Sequence, residues 1–406
     1  MIGLILASFA NWAIYNLAYF PRNIGPWRSA PENCKARSFV DWVPIVGWLR
    51  LNRESDVHGK WFWVRPFLLE LTFPIFLIWF YRFELEGGLL ADGPMAALVM
   101  LKARWIKFLA HALLILLLLI ATCFDLDERC IPDTITLPGT LIALLGATIF
   151  PEWHLYYLEP NAIGPIVTQL HPASPYPWEM AWNGSHGLWL AWLSFSIWCF
   201  ALMDRRLILR RGWKKAIQYF VAGIFRFWTW KLLLAIWIVG SISIYVASST
   251  LPQANWQSLF SSLVGMTLGC TIVWLIRIVA RSAMGMEAMG FGDVTLMAMV
   301  GAFVGWQPTW LAFFAAPIMG LAIVILAWLL TGDRATPFGP YLAAGSVASL
   351  IGWDPVWNDW SVPRIMTIGG SLLFWGFLSF FILFGGTLWG IQKVKEFFSR
   401  PVREPK

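Results

Sequence analysis

Apolar positions along this chain come in long blocks, separated by short polar stretches, near residues 2–20, 66–82, 106–124, 134–150, 187–203, 231–248, 257–280, 293–305, 309–330, 338–352 and 368–391. Most of these blocks approach the length a helix needs to cross the hydrocarbon core of a bilayer, about 20 residues at 1.5 Å rise each. The pattern predicts an all-α polytopic membrane protein with about eleven transmembrane helices. The segments 293–305 and 338–352 are shorter and rich in Gly or other small residues, as expected of helices packed inside a bundle. The first apolar block has no basic residues before it, and Arg22 and Arg28 come after it. That order predicts a first spanning helix rather than a cleaved secretory signal.

Composition agrees with the pattern. Of 406 residues, 58% are hydrophobic and 13% charged, and the 28 Trp and 30 Phe suit wide interfacial belts. The net charge of +7 bears first on orientation. With the N-terminus outside, the inner segments are 21–65, 125–133, 204–230, 281–292, 331–337 and the tail from 392. These hold most of the Lys and Arg, six of them in "DRRLILRRGWKKA" (204–216) alone. The outer loop 151–186 has Glu152, Glu159 and Glu179 but no Lys or Arg, and 249–256 has no charge; Lys102, Arg104 and Lys107 are the discordant set. The basic run in 204–230 is expected to anchor an interfacial helix on anionic lipid headgroups and not to bind nucleic acid. The inner loop 21–65, mixing Pro, Arg, Trp and Asp, is expected to form a small cytoplasmic loop subdomain. Neither a solenoid repeat nor a low-complexity tract is present.

Five scattered cysteines, Cys34, Cys123, Cys130, Cys199 and Cys270, form no C-x-x-C pair. They support neither a disulfide framework nor a four-cysteine zinc site. His58, His154, His171 and His186 have no metal-ligand spacing, and His111 is a lone intramembrane imidazole.

Two stretches carry candidate chemistry. In "CFDLDERCIPDTITLPG" (123–139), Asp125 closes an apolar run and Asp133 is a plausible N-cap of the next helix. In "MGFGD" (289–293), Gly290 and Gly292 flank Phe291 and leave room for an extended peptide beside the backbone, with Asp293 immediately after. The inside/outside assignment puts Asp125 and Asp293 at the same membrane depth, on the cytoplasmic face. Taken singly, each stretch also reads as a charged hairpin or a helix breaker. Together, two carboxylates in a partly desolvated site tend to share one proton, which is the chemistry of an aspartic protease.

These segments, with "TPFGPYLAAG" (336–345), resemble the type IV prepilin peptidases, membrane aspartic proteases of the G-x-G-D class. The resemblance implies that Asp125 and Asp293 are the catalytic pair, that Gly290, Phe291 and Gly292 position substrate, and that Asp133 and Glu70 support the site. Thr295 stands where the family usually has Lys. "FVDWVPIVGWLRLNRES" (39–55) and "VRPFLLELTFP" (64–74) look like the family's cytoplasmic domain and second helix. Typical members bind zinc there through two C-x-x-C pairs; with only Cys34, zinc is not expected. Glu70 matches the family's helix glutamate and is expected to have a structural role, with Arg65 as a partner. Proteolysis of this kind needs no cofactor. Members often also methylate the new N-terminus with S-adenosylmethionine, and the thinned cysteine pattern leaves that activity open here.

The expected organisation is an N-terminal helix pair with its cytoplasmic loop (1–82), a first peptidase segment carrying Asp125 (106–150), an inserted helix pair with a basic inner loop (187–248), a peptidase core with G-x-G-D (257–352), and an extra C-terminal helix with a basic tail (368–406). The function implied is cleavage of the cytoplasmic leader of prepilin-like or pseudopilin precursors, by an enzyme of the inner membrane. From the residues alone, the alternative is an ion- or proton-coupled transporter, or a catalytically inactive assembly scaffold.

Overall fold

The computed structural model describes residues 1–31, 34–87, 94–159, 166–203, 222–223, 226–284, 289–331, 337–368 and 371–398. Each apolar block of the sequence is helical: α1 (Ile2–Asn16), α4 (Val64–Arg82), α5 (Pro94–Glu128), α6 (Asp133–Ile149), α7 (Ser185–Ala201), α8 (Trp228–Thr250), α9 (Gln253–Met284), α10 (Phe291–Val304), α11 (Trp306–Thr331), α12 (Gly339–Ile351) and α14 (Ser371–Phe398). Shorter helices α2 (Val46–Leu51), α3 (Ser55–His58) and α13 (Val362–Ile368) lie between them. Among the described residues, five helical stretches are long and apolar enough to cross a membrane: Val64–Leu85, Ala103–Glu128, Trp228–Thr250, Gln253–Ala283 and Trp306–Ile325. Others, α10 and α12 among them, are apolar but shorter. Most of the segment expected as an interfacial helix, 204–230, lies outside the described residues.

Helix α10 is the centre of the bundle. Its sequence is apolar on all sides, so no face of it can be left to water, and every residue from Asp293 to Val304 is buried. It packs on α5, α6, α9, α11 and α12. The contact with α9 is the closest, because a Cβ on Gly265 would collide with the Gly301 carbonyl and one on Gly301 with the Gly265 carbonyl. Two small residues let the backbones touch, which is how helices gain packing energy where lipid removes the hydrophobic drive.

The two ends of the bundle differ. At one end, residues 37–58 form a small ionic subdomain with a 3₁₀ turn (Phe39–Trp42), α2 and α3. Buried Asp41 accepts hydrogen bonds from Arg50 Nε (2.9 Å) and Arg53 Nη2 (2.8 Å), and buried Glu54 pairs with Arg37. Cys34 and His58 are the only sulfur or imidazole donors in residues 34–58, too few for the zinc site the resemblance implies for typical members. Glu70 of α4 ties this subdomain to α1: it accepts from Ser8 Oγ (2.9 Å), Asn11 Nδ2 (3.2 Å), Trp48 Nε1 (3.0 Å) and the Ile45 N–H (2.5 Å). Glu70 is thus taken up by four donors, and Arg65, expected as its partner, turns to Asp127 instead. Ile45 itself sits at φ 67° in a tight turn closed by Val46 N–H on Pro44 O (2.7 Å), a strained place for a β-branched residue.

At the other end, residues 150–184 make a cap that departs from the all-α expectation. It contains an antiparallel hairpin, β1 (Tyr156–Glu159) and β2 (Ile166–Gln169), with Tyr156 opposite Gln169. Indole N–H groups fasten the cap to helix ends: Trp353 donates to Tyr156 O (2.7 Å), Trp306 to Pro172 O (2.8 Å) and Trp256 to Trp182 O (2.9 Å).

Candidate active site

Asp125 lies in the last turn of α5. That turn is closed by Arg129 in the left-handed region (φ 52°), whose N–H donates to Asp125 O at 2.9 Å. Cys130, Ile131 and Pro132 then turn the chain into α6. Pro132 takes the N-cap position with extended backbone, so Asp133 is the first helical residue rather than the cap. Its carboxylate faces Thr295 on α10, whose hydroxyl donates to Gly292 O at 3.1 Å.

Asp293 is the third residue of α10. Gly290 caps that helix, and its N–H donates to Asp293 Oδ2 at 3.0 Å, the carboxylate's usual way of answering an exposed N-terminal amide. Asp125 is held by the same physics across elements: its Oδ2 accepts the N–H of Gly339, the first residue of α12, at 2.9 Å. Each carboxylate is therefore seated on a helix N-terminus, Asp293 on its own and Asp125 on that of α12. Gly339 has to be glycine for this, since a Cβ there would meet Asp125 Oδ2 at 2.5 Å and Ile131 Cδ1 at 2.9 Å.

The two seats adjoin through Ile131. Its Cδ1 packs at Gly339, and its Cβ and carbonyl lie 2.9 Å and 3.0 Å from where a Gly292 side chain would start. Asp125 and Asp293 are 5% and 6% exposed, and the charge of Asp125 acts on Asp293. Exposed Cys130 registers the crowding: partial burial first, then the charges of Asp125, Asp133, Glu128 and Asp293, push its thiol up. The structure thus brings together Asp125, Asp133 and Asp293, with Glu70 apart from them in the N-terminal subdomain.

The Gly-Phe-Gly turn is divided in use. Gly292 is filled by Ile131, whereas Gly290 meets nothing closer than 3.7 Å. Phe291 is half-buried, with Arg277 Cζ 6.0 Å from its ring centre. Beside it a cavity of 390 Å³ runs between α7 and α9, lined by Ser196, Phe200, Cys270, Trp274, Phe291 and Val294. Gly339 is the site residue that sequence reading passed over. The Gly-Pro pair opening an apolar helix was its only signal, and the carboxylate that needs the glycine lies more than 200 positions away.

Comparison with known proteins bears on this arrangement. The profile of the type IV leader peptidase family matches residues 229–325, which include α9, α10 and Asp293. Through this segment the chain is similar to the type IV leader peptidase family. Its curated relatives include a prepilin leader peptidase/N-methyltransferase of Pectobacterium carotovorum subsp. carotovorum, 40% identical over 74 residues, which are 18% of this chain and 26% of that protein. Another, of the same name, from Pseudomonas aeruginosa, is 34% identical over 148 residues, 32% of this chain and 51% of the relative. The chain thus spans about half of these relatives' length or less. No solved structure matches. Asp125 lies outside the segment that the family profile matches.

Proposed function

We propose that this protein is a membrane-embedded aspartic endopeptidase that removes the cytoplasmic leader of prepilin-like or pseudopilin precursors, with Asp125 and Asp293 as the catalytic pair. The observation that carries the reading is the seating of two buried carboxylates, far apart in sequence, against one residue, Ile131, at one end of the bundle. Two such groups do not both ionise readily, and share a proton. The ionised partner takes a proton from a water molecule as its oxygen attacks the scissile carbonyl. The protonated partner donates a hydrogen bond to the carbonyl oxygen as negative charge grows there. Collapse of the tetrahedral species expels the amine, which takes up a proton from the pair. Gly290 and Phe291, on the side that Ile131 does not fill, would position the extended segment being cut. The apolar cavity beside Phe291 and Val294 suits the precursor's apolar helix. An N-terminus outside, eleven crossings and a site at the cytoplasmic face belong to the same proposal.

The test is expression of the full chain with a prepilin-like precursor, the product's N-terminus being read by mass spectrometry. Asp125→Asn and Asp293→Asn should each lower cleavage by about 10²–10⁴-fold at unchanged membrane level. Full cleavage in either variant would refute the proposal. The same spectrum shows whether the new N-terminus carries a methyl group. A transporter would lose uptake in these variants with no precursor accumulating.

A further inference from the structure

Asp125 stands at a helix end, where backbone hydrogen bonds run out and turns fray. The turn that carries it is nevertheless tied at three further points, all to the N-terminal part of the chain. Asp127 receives both ends of the Arg65 guanidinium, Nη1 to Oδ1 at 2.5 Å and Nη2 to Oδ2 at 2.9 Å. Arg22 Nη1 lies 3.5 Å from Asp127 Oδ2. Glu128 accepts the backbone N–H groups of Tyr19 (3.1 Å) and Phe20 (3.2 Å), just past the end of α1. Arg65 is in turn seated 5.8 Å from the ring centre of buried Tyr15, which lies 5.9 Å from the ring of buried Trp48 on α2. A continuous set of contacts therefore runs from the ionic subdomain through Trp48, Tyr15 and Arg65 to Asp127, two residues from Asp125.

We propose that Arg65 and Asp127 are a positioning pair for the Asp125/Asp293 reaction. The planar fork of Arg65, gripped at both oxygens, fixes the rotation of the last turn of α5 and with it the distance of Asp125 from Asp293. A bidentate guanidinium–carboxylate contact specifies orientation as well as proximity, which a lysine would not. The expected penalty lies in the chemical step, because a reacting group displaced by about 1 Å loses on the order of a hundredfold in rate while substrate binding along the apolar groove is untouched. This rests on the peptidase reading for its kinetic arm only.

The experiment uses the full-length protein in lipid nanodiscs, with Arg65→Ala, Arg65→Lys, Asp127→Asn and the Arg65→Ala/Asp127→Asn double variant. Peptide cleavage should show kcat lowered between about ten- and a hundredfold in either loss variant, with KM within about twofold. The double variant should be no slower than the slower single one. Arg65→Lys, which keeps the charge and the fold but not the fork, should fall in between. Independently of any cleavage, hydrogen exchange at the Arg129 amide, which bonds Asp125 O, should speed up by about tenfold or more in Arg65→Ala. Unchanged exchange there overturns the proposal whatever the cleavage assay gives. So does a loss confined to KM, or single effects that multiply in the double variant. Absence of cleavage by the wild type would refute the peptidase reading and leave the exchange result to decide the pair.

Discussion

Gly339 and Cys130 make the candidate site testable one side chain at a time. An alanine at 339 places a methyl group on Asp125 Oδ2 and Ile131 Cδ1, and neither can retreat far, because Asp125 belongs to a helix and Ile131 also packs at Gly292. Gly339→Ala should therefore cost about 1–3 kcal/mol of stability and lower cleavage well beyond what that loss explains, since the Gly339 N–H would leave Asp125. Thermal unfolding together with specific activity separates the two effects. Cys130 reports the convergence of the carboxylates without any substrate. The thiolate is the reactive form, and burial and then four nearby carboxylates oppose its formation. Because the pair shares one proton, each single Asp→Asn change leaves its partner ionised; the Asp125→Asn/Asp293→Asn double variant should therefore speed alkylation of Cys130 by roughly two- to fivefold over wild type at fixed pH, measured by mass shift in a Cys130-only background. No change in the double variant would mean that the pair is not beside Cys130.

Among elements, what the sequence disclosed and what it withheld divide along physical lines. Apolar blocks of helical length are a local signal, and each of them is helical, most within a few residues of the expected bounds; the block expected at 106–124 starts twelve residues earlier, at Pro94. Asp125 and Asp293 were legible because a carboxylate beside a membrane-grade apolar run demands a reason, and Gly-Phe-Gly before Asp293 announced a helix start. The hairpin of β1 and β2 was not legible: its strands are four residues each, too short for a period-two pattern to stand out in a loop full of Pro and Gly. Partner choice was the other blind spot. Arg65 had Glu70 five residues ahead of it on the same helix, but Glu70 is taken up by four donors from α1 and the 45–48 turn, which frees the guanidinium for Asp127. Asp133, expected as a cap, lost that role to Pro132 and faces Thr295 of α10 instead. The partners that Glu70 and Arg65 take lie 22 to 62 positions distant, beyond the reach of any local pattern.

At the scale of the whole molecule, the two ends of the bundle respond to acid in opposite order of resilience. In the cap, His154 is fully buried, with Nε2 2.9 Å from Ser258 O and 3.2 Å from Ser262 Oγ; burial above all, with His111 nearby, pushes it down to about 4. His171, set edge-on against Tyr157 and Trp178, is pushed down to about 4 by burial. An unfolded histidine titrates near 6.5, so the open cap takes up protons that the closed cap refuses. The stabilisation is complete above about pH 6.5 and is lost as pH falls towards 4, about 3 kcal/mol in the case of His154. Asp41, in the ionic subdomain, behaves otherwise: burial pushes its carboxyl up, but the Ser38 N–H and the Arg53 and Arg50 guanidiniums outweigh it and hold the carboxyl at about 2. Its contribution is complete above an ordinary aspartate's pKa near 4 and is lost only between there and about 2. Limited proteolysis along a pH series should therefore cut within 150–184 by pH 5, while 37–58 stays protected down to about pH 4. His154→Gln, which cannot take up the proton, should move cap cleavage to lower pH. If the ionic subdomain opened first, the buried histidines would not be what limits the cap. The ionic subdomain should thus keep its shape under acid conditions that loosen the cap.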